Sequence, residues 1–181
     1  MPLKKLTANW INVKSKLVKF DRAGLLALVH DMYAANSDNQ AFLHTRFELG
    51  GDALQRYKQT IAHWLWPELS KNQDISVAKA KKAITDYKKA IGQPEGLVEL
   101  MVFYCEQAAG FSADVGLQHD GYLNALVRVF EQALKACVGL GAAQRDAFHK
   151  RLDAVRQISH NFGYGVGDDM DDLLVDYGIN P

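Results

Sequence analysis

Proline and cysteine are scarce in this chain, whose 181 residues include four prolines and two cysteines. Two cysteines are too few for a disulfide framework, and Cys105 and Cys137 form no CxxC pair of metal ligands. Each lies in a strongly apolar stretch, which predicts a buried thiol. Three of the prolines, Pro2, Pro67 and Pro94, stand at the edges of predicted helices.

Excess charge and long hydrophobic runs are also absent. The 21 basic and 21 acidic residues cancel, so net charge supplies no strong attraction to nucleic acid or to an anionic membrane. The longest apolar run, residues 97–105, is interrupted by Glu99 and falls short of the roughly 18 residues that a membrane span needs. The N-terminus lacks the features of a secretory signal peptide. These absences predict a cytoplasmic protein without membrane association.

Apolar residues at helical spacing are abundant, whereas strict alternation is nearly absent. The pattern predicts an all-α fold, an irregular antiparallel bundle of eight or nine helices joined by short loops. A degenerate α-solenoid is the alternative, because the helices follow one another in pairs. The length fits one helical domain over residues 1–181.

The two ends of the chain carry opposite charge. Residues 1–20 contain five lysines and no acid, which predicts a basic N-terminal helix. Residues 161–181 are predicted to form a glycine hinge and an acidic C-terminal helix, because five aspartates and no base follow Gly167. The apolar residues of the first helix have the spacing of a short coiled-coil seam; they are Leu3, Leu6, Trp10, Val13 and Leu17.

Between the ends, the pattern predicts caps, inner faces and a central helix. Asp21 and Ser76 are predicted to cap helices. A helix over residues 94–110 is apolar on nearly all sides, which is typical of a central, buried helix. Leu25, Leu28, Val29 and Met32 are expected on the inner face of the second helix, and Leu100, Met101, Phe103 and Phe130 in the core.

The sequence contains none of the metal-binding, phosphate-binding or nucleophile motifs considered below. The histidines form no HExxH or ExxH pattern, and no P-loop or GxSxG motif is present. An EF-hand that began at Asp168 would need a glycine and a glutamate where Leu173 and Ile179 stand. We therefore predict no metal site and no cofactor, and the sequence identifies no catalytic residue.

Glu99 and Glu106 stand out because they lie two turns apart on one side of the most apolar helix. One interpretation is a pair of carboxylates with raised pKa values in a low-dielectric pocket, joined by histidines from other helices. The other is that they mark the single solvent-facing strip of this helix, since glutamate is seldom buried without a partner.

Lysines cluster on the helix over residues 79–89, where Lys81 and Lys88 lie on the predicted outer face. Such a face is usually solvated, but it could bind nucleic acid if a second basic helix adjoined it. The absence of any RNP, KH or zinc-finger motif disfavours that reading.

Self-association is suggested by the charged ends and by two tryptophans. The basic first helix could bind the acidic last helix within one chain, or that of a second chain. Trp66 falls off the apolar stripe of its helix, and aromatic residues are enriched at the cores of interfaces. We expect a homodimer with Trp10 or Trp66 near its interface; Trp66 packing beneath a loop of a monomer is the alternative.

The chain resembles a family of bacterial all-helical proteins of unknown activity. The residues that carry the resemblance are Lys79–Lys88, Met101–Glu106, Tyr122–Leu126 and Asn161–Gly167, and the likeness extends over most of the chain after Asp21. It implies a bacterial origin and an all-helical fold, and nothing catalytic.

Binding is therefore the function that the sequence favours, with another protein as the partner. The alternatives are an enzyme or small-ligand binder with a pocket of Glu99, Glu106 and histidines, and a nucleic-acid accessory protein that uses Lys79–Lys89.

Overall fold

The computed structural model describes residues 9–47, 49 and 53–179, and within them it confirms the all-α prediction. These residues form nine α-helices and one 3₁₀ turn and contain no β-strand. The chain divides into two compact units, Met1–Phe47 and Glu48–Pro181, called unit 1 and unit 2 below. That residues 1–181 form one domain stays a prediction.

Unit 1 contains three short helices, α1 (Trp10–Leu17), α2 (Arg22–Ala35) and α3 (Ser37–Arg46). The predicted cap at Asp21 is confirmed, because its carboxylate accepts a hydrogen bond of 2.7 Å from the backbone N–H of Gly24. The Tyr33 hydroxyl and His44 Nε2, 2.8 Å apart, connect α2 to α3. The predicted seam residues Leu3 and Leu6 lie outside the described residues.

Unit 2 contains the remaining helices. They are α4 (Ala53–Leu65), α5 (Val77–Ala90), α6 (Pro94–Val115), α7 (Asp120–Cys137), α8 (Ala142–Ser159) and α9 (Val166–Asp176), with the 3₁₀ turn Leu69–Lys71 between α4 and α5. The hydroxyl of Ser76 accepts from the N–H of Lys79 at the start of α5, so this cap is confirmed as well.

Helix α6 is the centre of unit 2, as its apolar pattern predicts. It packs against α4, α5, α7 and α8. The predicted core residues Leu100 and Phe130 are fully buried, whereas Met101 and Phe103 are only partly buried. The expectation that all four are core residues is therefore wrong for Met101 and Phe103, which pack against the core cluster but keep part of their surface exposed.

The end of α6 differs from the sequence expectation. The helix continues through Gly110 to Val115, and Gly116 ends it in the left-handed conformation with φ 65°. Gly110 is needed for packing instead, because a Cβ atom there would lie 2.6 Å from Cζ3 of Trp66. In the sequence, a glycine that makes room for a neighbouring side chain cannot be told from a glycine that ends a helix.

Both cysteines confirm the prediction of buried thiols. Cys105 and Cys137 are buried and unpaired by disulfide. Burial raises the pKa of Cys105 well above its usual value and that of Cys137 to about 11, so neither thiol is an activated nucleophile.

Among the described helices, none is both long enough and apolar enough to cross a membrane.

Candidate functional site

Glu99 and Glu106 meet one arginine instead of a histidine pocket. Arg151 Nε and Nη2 donate to the two carboxylate oxygens of Glu106 at 2.7 and 2.8 Å. Nη1 and Nη2 of the same guanidinium donate to Glu99, whose Oε1 also lies 2.6 Å from Lys58 Nζ. We call Lys58, Glu99, Glu106 and Arg151 the ion-pair cluster.

Three helices bring the ion-pair cluster together. Glu99, Phe103 and Glu106 follow one another on α6 at spacings of four and three residues, which places them on one face of the helix. Lys58 reaches this face from α4 and Arg151 from α8. The Lys58 ammonium also lies 5.3 Å from the centre of the Phe103 ring, an attractive cation–π arrangement.

The charges of the ion-pair cluster compensate one another. Burial by itself raises the pKa of Glu99, but hydrogen bonds and attraction from Arg151 and Lys58 outweigh it and hold that pKa below its usual value. The hydrogen bonds that Arg151 donates to both glutamates raise its pKa in turn. The interpretation of Glu99 as a carboxyl group with a raised pKa is therefore wrong: it is a paired carboxylate without a proton to donate at neutral pH.

A pocket of about 270 Å³ opens beside the ion-pair cluster, between α6 and α8. Its walls are mostly apolar but include three charged residues; the lining residues are Glu106, Ala109, Lys150, Arg151, Ala154, Val155 and Ile158. Neither Glu99 nor a histidine lines it. This is not the pocket of Glu99, Glu106 and histidines that the enzyme alternative requires.

Glu99→Gln should make the folded protein less stable at pH 7 and less sensitive to acid. The folded state binds a proton at Glu99 less readily than the unfolded chain does, so the ionised Glu99 contributes to the free energy of unfolding at neutral pH. The wild-type protein loses this contribution as the pH falls through the lowered pKa of the folded state. We expect a loss on the order of 1 kcal/mol at pH 7, because the pair is only partly buried. Urea unfolding of both proteins at several pH values between 7 and 3 measures their free energies of unfolding and so tests this prediction.

The control for this prediction is Glu131→Gln, which removes an exposed glutamate on α7. Its stability should follow the wild-type pH dependence. Parallel curves for wild type and Glu99→Gln would contradict the assignment of Glu99 to a stabilising ion pair.

The six histidines have separate surroundings. His44 contacts Tyr33, His63 lies edge-on to Trp64, and the ring of His119 accepts from the N–H of Tyr122 at the start of α7. Within the described residues, one group of histidine and carboxylates could hold a metal ion, namely His160, Asp168 and Asp171. No histidine joins Glu99 and Glu106 in such a group.

Two of the lysines on α5 make contacts with other side chains of unit 2. Lys79 Nζ lies 3.7 Å from the centre of the Trp64 ring, and Lys82 Nζ lies 2.6 Å from Asp86 Oδ2. Lys88 is exposed, whereas Lys81 is half-buried. The face is therefore less uniformly basic than the sequence suggests.

The two predicted interface tryptophans differ in their contacts. Trp66 is 41% exposed and packs on Gly110 and on the ring of Phe111, whose centre is 6.2 Å away. Its ring thus has a partner within unit 2. Trp10 is 67% exposed at the start of α1 and remains a candidate for an interface.

Unit 1 presents an extensive apolar surface. No described side chain of residues 9–47 is buried. The expected inner face of α2 is wrong for Leu25, Val29 and Met32, which are exposed, whereas its fourth member, Leu28, is half-buried. We call the exposed apolar residues of this unit the unit 1 apolar surface; they are Trp10, Ile11, Val13, Val18, Phe20, Leu25, Leu26, Val29, Met32, Phe42 and Phe47.

The first and last described helices carry opposite charge. Lys14, Lys16 and Lys19 are exposed around α1. On α9, Met170 and Leu174 are buried, while Asp168, Asp169, Asp172 and Asp176 are exposed. The last helix is thus amphipathic, with an acidic outer face, as predicted.

Fold and sites together define an all-α helical bundle with an uncovered apolar surface in its N-terminal unit. Its most prominent polar cluster is the ion-pair cluster, in which two positive and two negative side chains neutralise one another. Comparisons of the chain with protein-family models, with curated proteins and with solved structures gave no match.

Sequence reasoning missed Lys58 and Arg151 as partners of the two glutamates. It also missed the grouping of His160 with Asp168 and Asp171, because the prediction of no metal site considered spacing along the chain. One signal was available: Asp168 and Asp171 are one helical turn apart, and a glycine-rich turn separates them from His160.

Proposed function

We propose that the protein acts as a protein-interaction module and that unit 1 provides the binding surface. The observation that carries the proposal is that none of the described side chains of residues 9–47 is buried. A unit of this size stabilises itself poorly even with a core. Covering its apolar residues would supply the burial that the unit lacks by itself.

A second copy of the chain is the partner that the charges favour. The unit 1 apolar surface carries lysines beside it, so a partner needs both apolar side chains and carboxylates. A second copy supplies both, namely its own unit 1 apolar surface and the acidic outer face of its α9. Reciprocal contacts of α1 with the partner's α9 then satisfy the symmetry of a homodimer.

Replacing exposed apolar residues of α2 should dissociate this dimer. We expect wild-type protein to be dimeric at micromolar concentrations, and Leu26→Ser with Val29→Ser to yield monomers of unchanged helix content. Both residues are exposed, so the substitutions leave the core of unit 2 intact. Light scattering coupled to size-exclusion chromatography measures the mass, and circular dichroism measures the helix content.

The matched control is Val138→Ser, which removes an exposed valine from unit 2 and should leave the dimer intact. Wild-type protein that stays monomeric at tens of micromolar would overturn the proposal of self-association.

A charge exchange separates contacts between chains from contacts within one chain. Lys14→Glu with Lys16→Glu should weaken the dimer, as should Asp172→Lys with Asp176→Lys. A mixture of the two variants should form a heterodimer, because each α1 then faces an α9 of opposite charge. Failure of the mixture to associate would contradict the α1–α9 contact.

The bacterial origin, the cytoplasmic location and the lack of membrane association remain predictions. The enzyme and nucleic-acid alternatives have less support, since both candidate glutamates are paired and two lysines of α5 have partners within unit 2.

A further inference from the structure

A second polar cluster lies where α8 meets α9. His160 follows the last residue of α8, and Asp168 and Asp171 lie one turn apart on α9. His160 Nε2 is 3.2 Å from Asp171 Oδ2, and Nδ1 is 4.0 Å from Asp168 Oδ1. One possible ligand atom from each of the three side chains lies within 4.8 Å of the other two.

The turn between the two helices fixes this arrangement. Gly163 donates its N–H to Gln118 Oε1 at 2.7 Å, which ties the turn to the segment before α7. Tyr164 and Gly165 both have left-handed backbone conformations, with φ 64° and 69°. For a non-glycine residue such as Tyr164 this conformation is strained, and strain of this kind concentrates at functional positions.

Gly167 brings α9 close to the imidazole. A Cβ atom at this position would lie 2.5 Å from Nδ1 and 2.8 Å from Cα of His160. Any side chain at position 167 would therefore push the first turn of α9 away. The glycine allows the imidazole to lie against the helix turn that carries Asp168.

Arg156 holds Asp171 in place. Its Nη1 donates to Asp171 Oδ1 at 2.8 Å, and its Nε donates to Asp153 Oδ1 at 2.8 Å. Oδ2 of Asp171 remains directed at His160. Carboxylates that bind metal ions are commonly oriented by a hydrogen bond to their second oxygen. The guanidinium, 3.4 Å from His160 Nε2, repels a cation and limits the affinity.

We propose that His160, Asp168 and Asp171 bind one divalent transition-metal ion. The ion takes one imidazole nitrogen and one oxygen from each carboxylate, with water completing its coordination. Imidazole together with carboxylates suits zinc and its neighbours in the first transition row, whereas carboxylates alone suit calcium and magnesium. The site joins the end of α8 to the first turns of α9.

Titration of the full-length, chelator-treated protein with Zn²⁺ tests the proposal. We expect saturation at one ion per chain and a rise in the thermal midpoint. Mn²⁺ should bind more weakly than Zn²⁺ because of the usual order of divalent affinities. His160→Ala and Asp171→Asn should each weaken Zn²⁺ binding by at least about tenfold.

The matched control is Asp169→Asn, which removes the same charge from the same helix but from outside the ligand set. It should bind Zn²⁺ like wild type, and circular dichroism should show that all variants keep their helix content. The proposal is overturned if wild type shows no saturable binding, if Mg²⁺ binds as tightly as Zn²⁺, or if Asp169→Asn weakens binding as much as Asp171→Asn.

Discussion

Leu100→Asp should abolish the folded state of unit 2. The Leu100 side chain is fully buried on α6, and an aspartate there would place a carboxylate without a partner in the core. Burying an unpaired charge costs more than about 4 kcal/mol, which is comparable with the whole stability of many domains. Far-UV circular dichroism should show a large loss of helix at 25 °C.

The neighbouring residue offers a matched comparison. Met101 lies on the same helix but is only partly buried, so a carboxylate at this position keeps part of its hydration. Met101→Asp should remain folded, with a lowered thermal midpoint. Equal effects of the two substitutions would show that the burial around α6 is wrongly assigned.

Gly96→Ala should destabilise unit 2, although alanine is the better helix former. In an open helix this exchange stabilises by roughly 0.5–1 kcal/mol. Here the new methyl group would lie 1.9 Å from the hydroxyl oxygen and 2.6 Å from Cζ of Tyr87. Tyr87 is buried and packs edge-on against Tyr57, so its ring has little room to move. Overpacking of this kind costs about 1–3 kcal/mol.

Two further substitutions make this prediction specific. Tyr87→Phe removes the atom of closest approach, so its combination with Gly96→Ala should cost less than the sum of the single changes. Gly139→Ala should be nearly neutral, because the nearest atom to a Cβ there is 3.9 Å away. Thermal unfolding of the wild-type protein and of the four variants measures all of these effects. A stabilised Gly96→Ala variant would show that α5 and α6 lie farther apart than described.

Helices in both units could be predicted because their signals are local. Asp21 and Ser76 cap helices from within four residues of the groups they bind, and the central position of α6 follows from its composition alone. The 3₁₀ turn and the extension of α6 beyond Gly110 were not predicted, since the role of that glycine depends on Trp66, 44 positions earlier in the chain.

The candidate sites were predictable only in part. Glu99 and Glu106 could be singled out as unusual on an apolar helix, but Arg151 is separated from them by 52 and 45 residues. The helical repeat of the sequence does not predict contacts between residues so far apart in the chain. Only the packing of α8 against α6 decided that the two carboxylates are paired.

Unit 1 shows what the sequence alone could not predict. The apolar spacing of Leu25, Val29 and Met32 determined that these residues share one face of α2, because the helix repeat fixes side-chain directions relative to the helix axis. It did not determine what covers that face. Only the tertiary structure decided that the described helices of unit 1 leave these three residues exposed, since burial depends on neighbouring elements and not on the helix itself.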